Sequence, residues 1–233
     1  MTALAGTPIL ERHELLEGAA YERREGVVSL RLAAPWQVLS SAVLGGGRRH
    51  ARSLVHLQVP LSYRCDRPER DLRAAARALA LDGPTVGLMT AVDLAETQLF
   101  AARAAETEVR ALITVGLRNA ARPGEPGPGG LGTINIVLLC AQRLAEGAAI
   151  ELAMLAAEAK AAAIVEAGIR TRGGRAASGT STDAIAILWR RAAGREFRHA
   201  GSATELGSVV GRIVGDAIRR GVEATALRRS ASG

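Results

Sequence analysis

Two nearly unbroken apolar segments, residues 134–140 and 184–189, are separated by a long alanine-rich stretch at 144–167. Strands covered on both faces read as continuous apolar residues, and a helix joining two neighbouring strands allows them to lie parallel. The order strand, long helix, strand has the spacing of a βαβ crossover, with Gly168 placed to end the helix. This pattern sets the class as α/β. The expected architecture is a single-domain layered sandwich, a mixed β-sheet packed by helices, with the βαβ-like unit in its C-terminal part.

A chain of 233 residues is the size of one well-buried domain, so residues 1–233 are taken as one unit. Aromatic residues supply only 3% of it against 48% hydrophobic, so the core must be built from Ala, Val, Leu and Ile. No apolar run reaches the ~20 residues of a membrane span, and the N-terminus lacks a signal-peptide pattern; a cytoplasmic protein without a membrane partner is expected. Cys65 and Cys140 form no Cys-x-x-Cys pair and read as reduced thiols. The net charge of +7 comes from arginines scattered along the chain, such as Arg23-Arg24 and Arg190-Arg191, without interleaved aromatics. That distribution suits a solvated surface, and no nucleic-acid partner is expected.

Elsewhere the pattern is less regular. Residues 1–25 read as a peripheral N-terminal segment, with a short helix-like stretch at 11–22. Residues 27–32 and 36–44 read as a hairpin or as adjacent antiparallel strands, interrupted by Ala34-Pro35 and followed by three glycines. A helix is expected over 69–81 after Pro68, strands over 85–89 and 109–117, and a closing helix over 204–227. Residues 93–106 are ambiguous, leaning helical at their start. Residues 119–132 form a Pro/Gly-rich loop, too long for a tight turn and of the kind that serves as a lid, a binding loop or a surface excursion.

Of 30 basic residues 29 are arginine, and the exception is Lys160. An amine can lose its proton where a guanidinium cannot, although chance in an Arg-rich chain accounts for the count equally well. On a helix the neighbours of Lys160 at i±3 and i±4 are Ala156, Ala157, Ala163 and Ile164, so no local carboxylate can pair with it. It either reaches water or meets a tertiary partner, for which Asp183 is the first candidate. Glu158 lies roughly opposite Lys160 on an ideal helix, so an undistorted helix cannot point both into one pocket; with Glu151 it could equally be a solvated face.

Two similar segments flank the helix, GLGTINIVLL at 130–139 and SGTSTDAIAI at 178–187. Each places Gly-Thr before an apolar strand, with Asn135 or Asp183 entering the run. Gly-Thr pairs are also common turn formers. A buried amide or carboxylate, however, needs partners. His13, His50, His56 and His199 have no metal-ligand spacing, and the Gly-x-Ser-x-Gly elbow is missing, so neither a metal site nor a serine hydrolase is expected.

Six blocks, in order, resemble the adenosylcobinamide amidohydrolases of corrinoid salvage: VGLMTAVD (86–93), ALITVGLRNAARPGE (111–125), GTINIVLL (132–139), AAEAKAAAI (156–164), SGTSTDAIAI (178–187) and GSATELGSVVGR (201–212). Ser181 stands where a glycine is expected. The resemblance implies hydrolysis of the amide joining the corrin side chain to aminopropanol, with the corrinoid as substrate and no cofactor or metal. Lys160, Asp183, Thr180, Asn135 and Thr133 become the expected catalytic residues. Asn119, Gly132, Glu158, Gly179 and Thr182 become the expected substrate contacts. In this scheme Asp183 orients or activates a water or the Thr180 hydroxyl, Lys160 supplies a proton or charge stabilisation, and Asn135 with loop amides holds the oxyanion. A variant makes Thr133 an N-terminal nucleophile after chain cleavage. A non-catalytic corrinoid-binding protein and an amidohydrolase for another small amide are the alternatives, and homo-oligomerisation is left open.

Overall fold

A computed structural model describes residues 4, 7–104, 107–129, 132–191 and 196–231. The central feature is β3 (Val27–Ser40), a strand long enough to belong to two halves of one sheet. Along one edge it pairs antiparallel with β4 (Gly47–Gln58). Its other edge carries β2 (Ala19–Arg24) over residues 27–32 and β12 (Ala184–Trp189) over residues 37–40. The register breaks between Arg31 and Trp36, around Pro35, which has no N–H to give the ladder.

The first half is completed by β1 (Glu11–Leu16) beside β2 and by β5 (Thr85–Thr90) parallel to β4. In the second, β12 pairs parallel with β9 (Ile134–Cys140); β9 pairs antiparallel with β7 (Thr107–Val115), and β7 with β6 (Gln98–Ala104). Among the described residues nine strands thus form one mixed sheet. Short pairs complete the chain: β8 (Ala120–Ala121) with β11 (Gly179–Thr180), and β10 (Arg143–Leu144) with β13 (Glu196–Phe197).

Three cores show how the halves stack. Leu30, Leu54 and Leu88 of the first half meet Leu112, Val137 and Ala186 of the second in an inner core. On the far side of the first half, Val55 and Leu57 pack against α1 (Pro68–Ala78). On the far side of the second, Ile134, Ile136 and Leu138 pack against α2 (Glu146–Glu166) and α3 (Glu205–Ala231). The result is four layers, helix, sheet, sheet, helix pair. Every residue of β9 is buried, alternate side chains entering the two cores, at about 1.5–3 kcal/mol for each large apolar side chain. Small residues bring the helices close: a methyl group at Gly221 of α3 would run into the Val115 side chain.

The crossover expected from 134–140, 144–167 and 184–189 is present as β9, α2 and β12, and the α/β sandwich stands with it. Three expectations fail. Residues 11–22 belong to the hairpin β1–β2, with Leu15, Leu16, Ala19 and Tyr21 buried, so this part of the N-terminal segment is integral to the sheet and neither helical nor peripheral. The two strands expected at 27–32 and 36–44 are one strand, whose hairpin partner β4 the sequence pattern did not reveal. Residues 94–96 are a single 3-10 turn before β6, not the start of a helix. Among the described residues no helix is long and apolar enough to cross a membrane.

Candidate active site

The parallel register of β9 and β12 sets Asn135 opposite Ala184, so the residues just before each strand, Thr133 and Thr182–Asp183, meet at one end of the sheet. The β8–β11 pair fixes the approach: Gly179 lies opposite Ala121 and Thr180 opposite Ala120. From the helix side, α2 delivers Lys160.

Asp183 is the hub. Lys160 Nζ donates to its Oδ2, which also accepts from the Thr180 N–H at 3.0 Å. Its Oδ1 accepts from the Thr180 hydroxyl at 2.5 Å and the Ile134 N–H at 3.1 Å. Both side chains of the ion pair are only 12% exposed. Four donors occupy the carboxylate, so it is oriented from two strands and a helix at once. Removing one partner of a buried pair costs about 3–5 kcal/mol, because the other charge is left without compensation. Gly179 is required by this packing: an added Cβ would stand 2.5 Å from Asp183 Oδ2 and 2.8 Å from Lys160 Nζ.

A second cluster, of hydroxyls, adjoins the first. Thr182 Oγ1 donates to the Gly132 carbonyl at 2.8 Å and lies 2.9 Å from Thr133 Oγ1. Asn119 Nδ2 donates to Ser181 Oγ at 2.8 Å and reaches Thr182 Oγ1 at 3.4 Å. Ser181, the departure from the family pattern, therefore makes a side-chain contact that glycine could not. Gly132 also has no room for a side chain, since a Cβ would meet Asn119 Oδ1 at 2.6 Å and the Arg118 backbone nitrogen at 2.9 Å.

Six of the other eight expected residues thus join Lys160 and Asp183 in one region: Thr180 and Gly179 at the ion pair, and Thr133, Asn119, Gly132 and Thr182 around the hydroxyl cluster. Asn135 and Glu158 do not. Asn135 points into the inner core, where its Nδ2 donates to Met89 O at 2.9 Å and lies 2.8 Å from His56 Nε2, while its Oδ1 is buried without a partner. Its face of β9 is the one turned away from α2. Glu158 is exposed on α2, as the helix geometry anticipates. Glu151 is not simply solvated: it accepts from the Ala200 N–H at 2.6 Å, the main cause that lowers its pKa from the ordinary carboxylate range.

His56 was missed by the sequence reading. Burial in the inner core pushes its pKa down to about 3, so it enters the Asn135 contact as a neutral ring. The signal was the alternation Leu54, His56 in a strand that went unread. Gly130 and Leu131, part of the first Gly-Thr segment, lie outside the described residues.

A protein from Methanosarcina mazei named adenosylcobinamide amidohydrolase is 30% identical over 191 residues, covering 78% of this chain and 88% of its own. Among solved structures, a β-aminopeptidase from Burkholderia sp. gives a TM-score of 0.42 at 14% identity, covering 93% of this chain and 82% of that one. A protein from Pyrococcus horikoshii OT3 gives 0.41 at 10% identity, covering 93% and 81%. The family model described as adenosylcobinamide amidohydrolase matches residues 12–229, nearly the whole length, and the chain belongs to that family.

Proposed function

We propose that this chain hydrolyses the amide between the corrin side chain and aminopropanol of adenosylcobinamide, releasing adenosylcobyric acid. The observation that carries the proposal is the burial of the only lysine against Asp183, at the end of the sheet where both Gly-Thr segments meet, in a chain of this family. Amide hydrolysis needs an attacking oxygen, charge stabilisation at the tetrahedral carbon and a proton for the departing amine. Lys160 Nζ is a proton donor held in fixed orientation by Asp183, and it delivers the proton to the aminopropanol nitrogen. Asp183 positions it. The attacking oxygen is a threonine hydroxyl of the same region, Thr180 or Thr133. The corrinoid acts as substrate, and the chain works on it in the cytoplasm without a resident cofactor, a nucleic-acid partner or a membrane partner.

Lys160→Ala and Asp183→Asn, each verified as folded, are expected to lower turnover of adenosylcobinamide by about 10²–10⁴-fold, the span of a general acid–base contribution. Chromatography of the released cobyric acid reads the rate, and near-normal rates in both variants would remove the scheme. Binding of adenosylcobinamide with no turnover by the wild type would leave a corrinoid-binding protein instead.

A further inference from the structure

One hydroxyl joins Thr133 to the carbonyl of the residue before it. Thr182 commits its single proton to Gly132 O, at 2.8 Å, so at its 2.9 Å contact with Thr133 it acts as acceptor and the Thr133 hydroxyl as donor. The chain of protons therefore runs from Thr133 Oγ1 through Thr182 Oγ1 to the Gly132 carbonyl oxygen. This is the direction in which protons must move if Thr133 Oγ1 attacks the carbonyl carbon of its own preceding peptide.

The surroundings fix both sides of that peptide. Gly132 is packed against Asn119 Oδ1 and the Arg118 nitrogen too closely to admit a methyl group. The Thr133 carbonyl accepts from the Gly116 N–H at 3.0 Å, and the next N–H, that of Ile134, is held by Asp183 at 3.1 Å. Thr133 itself is only 4% exposed. A hydroxyl that is to attack an external amide would be expected to open toward it, whereas this one is buried and engaged with Thr182.

We infer that the chain cuts itself between Gly132 and Thr133. In the first step Thr133 Oγ1 bonds to the Gly132 carbonyl carbon, its proton passes to Thr182, and the proton of Thr182 passes to the carbonyl oxygen. The resulting neutral tetrahedral adduct collapses by breaking the carbon–nitrogen bond: the proton of its new hydroxyl passes to the departing nitrogen as the carbonyl re-forms, leaving an ester between Gly132 and the Thr133 side chain. Solvent water then hydrolyses the ester to a Gly132 carboxylate, a free Thr133 hydroxyl and a free Thr133 α-amine, the proton of the new acid passing to solvent. The balance is one peptide bond and one water consumed. The α-amine so released is a base adjacent to the hydroxyl, the arrangement that activates an N-terminal threonine. In this use the inference rests on the proposed amidohydrolase activity and assigns its attacking oxygen to Thr133, leaving the Thr180 hydroxyl as part of the clamp on Asp183.

The test is intact-mass measurement of the purified full-length protein under denaturing conditions, with N-terminal sequencing, alongside turnover of adenosylcobinamide by the same sample. Two chains are expected, residues 1–132 and 133–233, the second beginning Thr-Ile-Asn-Ile. Thr133→Ala should remain whole and inactive, Thr133→Ser should be cut, and Thr182→Val should be cut more slowly by about 10²-fold. A wild-type sample that turns over substrate as a single uncut chain overturns the inference and leaves the amidohydrolase reading standing. Cutting at this bond without turnover does the reverse. Cutting that persists in Thr133→Ala also overturns it, whatever the activity.

Discussion

Replacing Gly179 by alanine adds one methyl group where the chain has no space for it. The new carbon would stand 2.5 Å from Asp183 Oδ2 and 2.8 Å from Lys160 Nζ. Carbon–oxygen contacts settle at about 3.3–3.6 Å, so roughly 0.8 Å must be found. The carboxylate resists because Thr180 N, Thr180 Oγ1 and Ile134 N hold it from three sides, and β11 resists because it is paired to β8. Lys160, on a flexible stem, is the group expected to yield, and with it the ion pair. Overpacking of this kind costs about 1–3 kcal/mol of stability. For a chain of this size that lowers Tm by about 2–4 °C for each kcal/mol. The larger effect falls on chemistry. A misplacement near 1 Å costs about 10²-fold in rate, so kcat/KM for adenosylcobinamide should fall by that factor, about 2.7 kcal/mol of transition-state stabilisation. Steady-state assay of cobyric acid release beside a thermal melt measures both. Gly173→Ala is the control, since its Cβ would find nothing nearer than Thr171 Oγ1 at 3.7 Å. A folded Gly179→Ala enzyme within about threefold of wild-type kcat/KM would refute the assignment of the Lys160–Asp183 pair to the reaction.

Lys160→Arg keeps the charge but loses the amine, and should be as inactive as Lys160→Ala; a rate within about tenfold of wild type would show that charge alone suffices. His56 titrates near 6.5 in the unfolded chain but at about 3 when buried, so between these values the unfolded state binds more protons and stability falls as pH falls. Its contribution reaches about 1.4 kcal/mol per pH unit, and His56→Gln should remove it; denaturant titrations at several pH values that keep the wild-type slope would contradict this. Burial pushes the Cys140 thiol up to about 12 while Cys65 is exposed, so a thiol reagent should label one cysteine of the native protein and two after unfolding.

The parts of the fold legible in the sequence are those whose burial is the same on both faces. β9 and β12 lie between two cores, and their apolar runs, broken only by Asn135, mark their bounds to the residue. β4 escaped because its first residues, Gly47 to His50, are exposed and polar while its later ones are buried, so it shows neither one clean alternation nor one continuous run. β1 and β2 escaped for a related reason. Glu11, Arg12, Glu22 and Arg23 are strand residues that pair across the hairpin, Arg12 with Glu22 and Arg23 with Glu11, and such charged stretches resemble a solvated helix until the cross-strand partner is known.

The site divides along the same line. Lys160 and Asp183 could be matched from sequence because helical periodicity denied the lysine a partner nearby and a buried carboxylate demanded one. Asn135 satisfied the same demand but in the wrong direction. Position within the apolar run shows that a polar residue needs a partner, and only the parity of the strand shows on which face the partner lies. Thr133 and Asn135 share the inner-core parity, as do Val137 and Leu139, whereas Ile134 and Ile136 face α2. The pair Lys160–Asp183 and the hydroxyls of Thr133 and Thr182 therefore meet around the ends of the strands, not across one face of the sheet, and the Ile134 N–H that bonds Asp183 is the backbone link between them. A change that slips β9 against β12 by one residue would exchange these faces and part the clusters altogether.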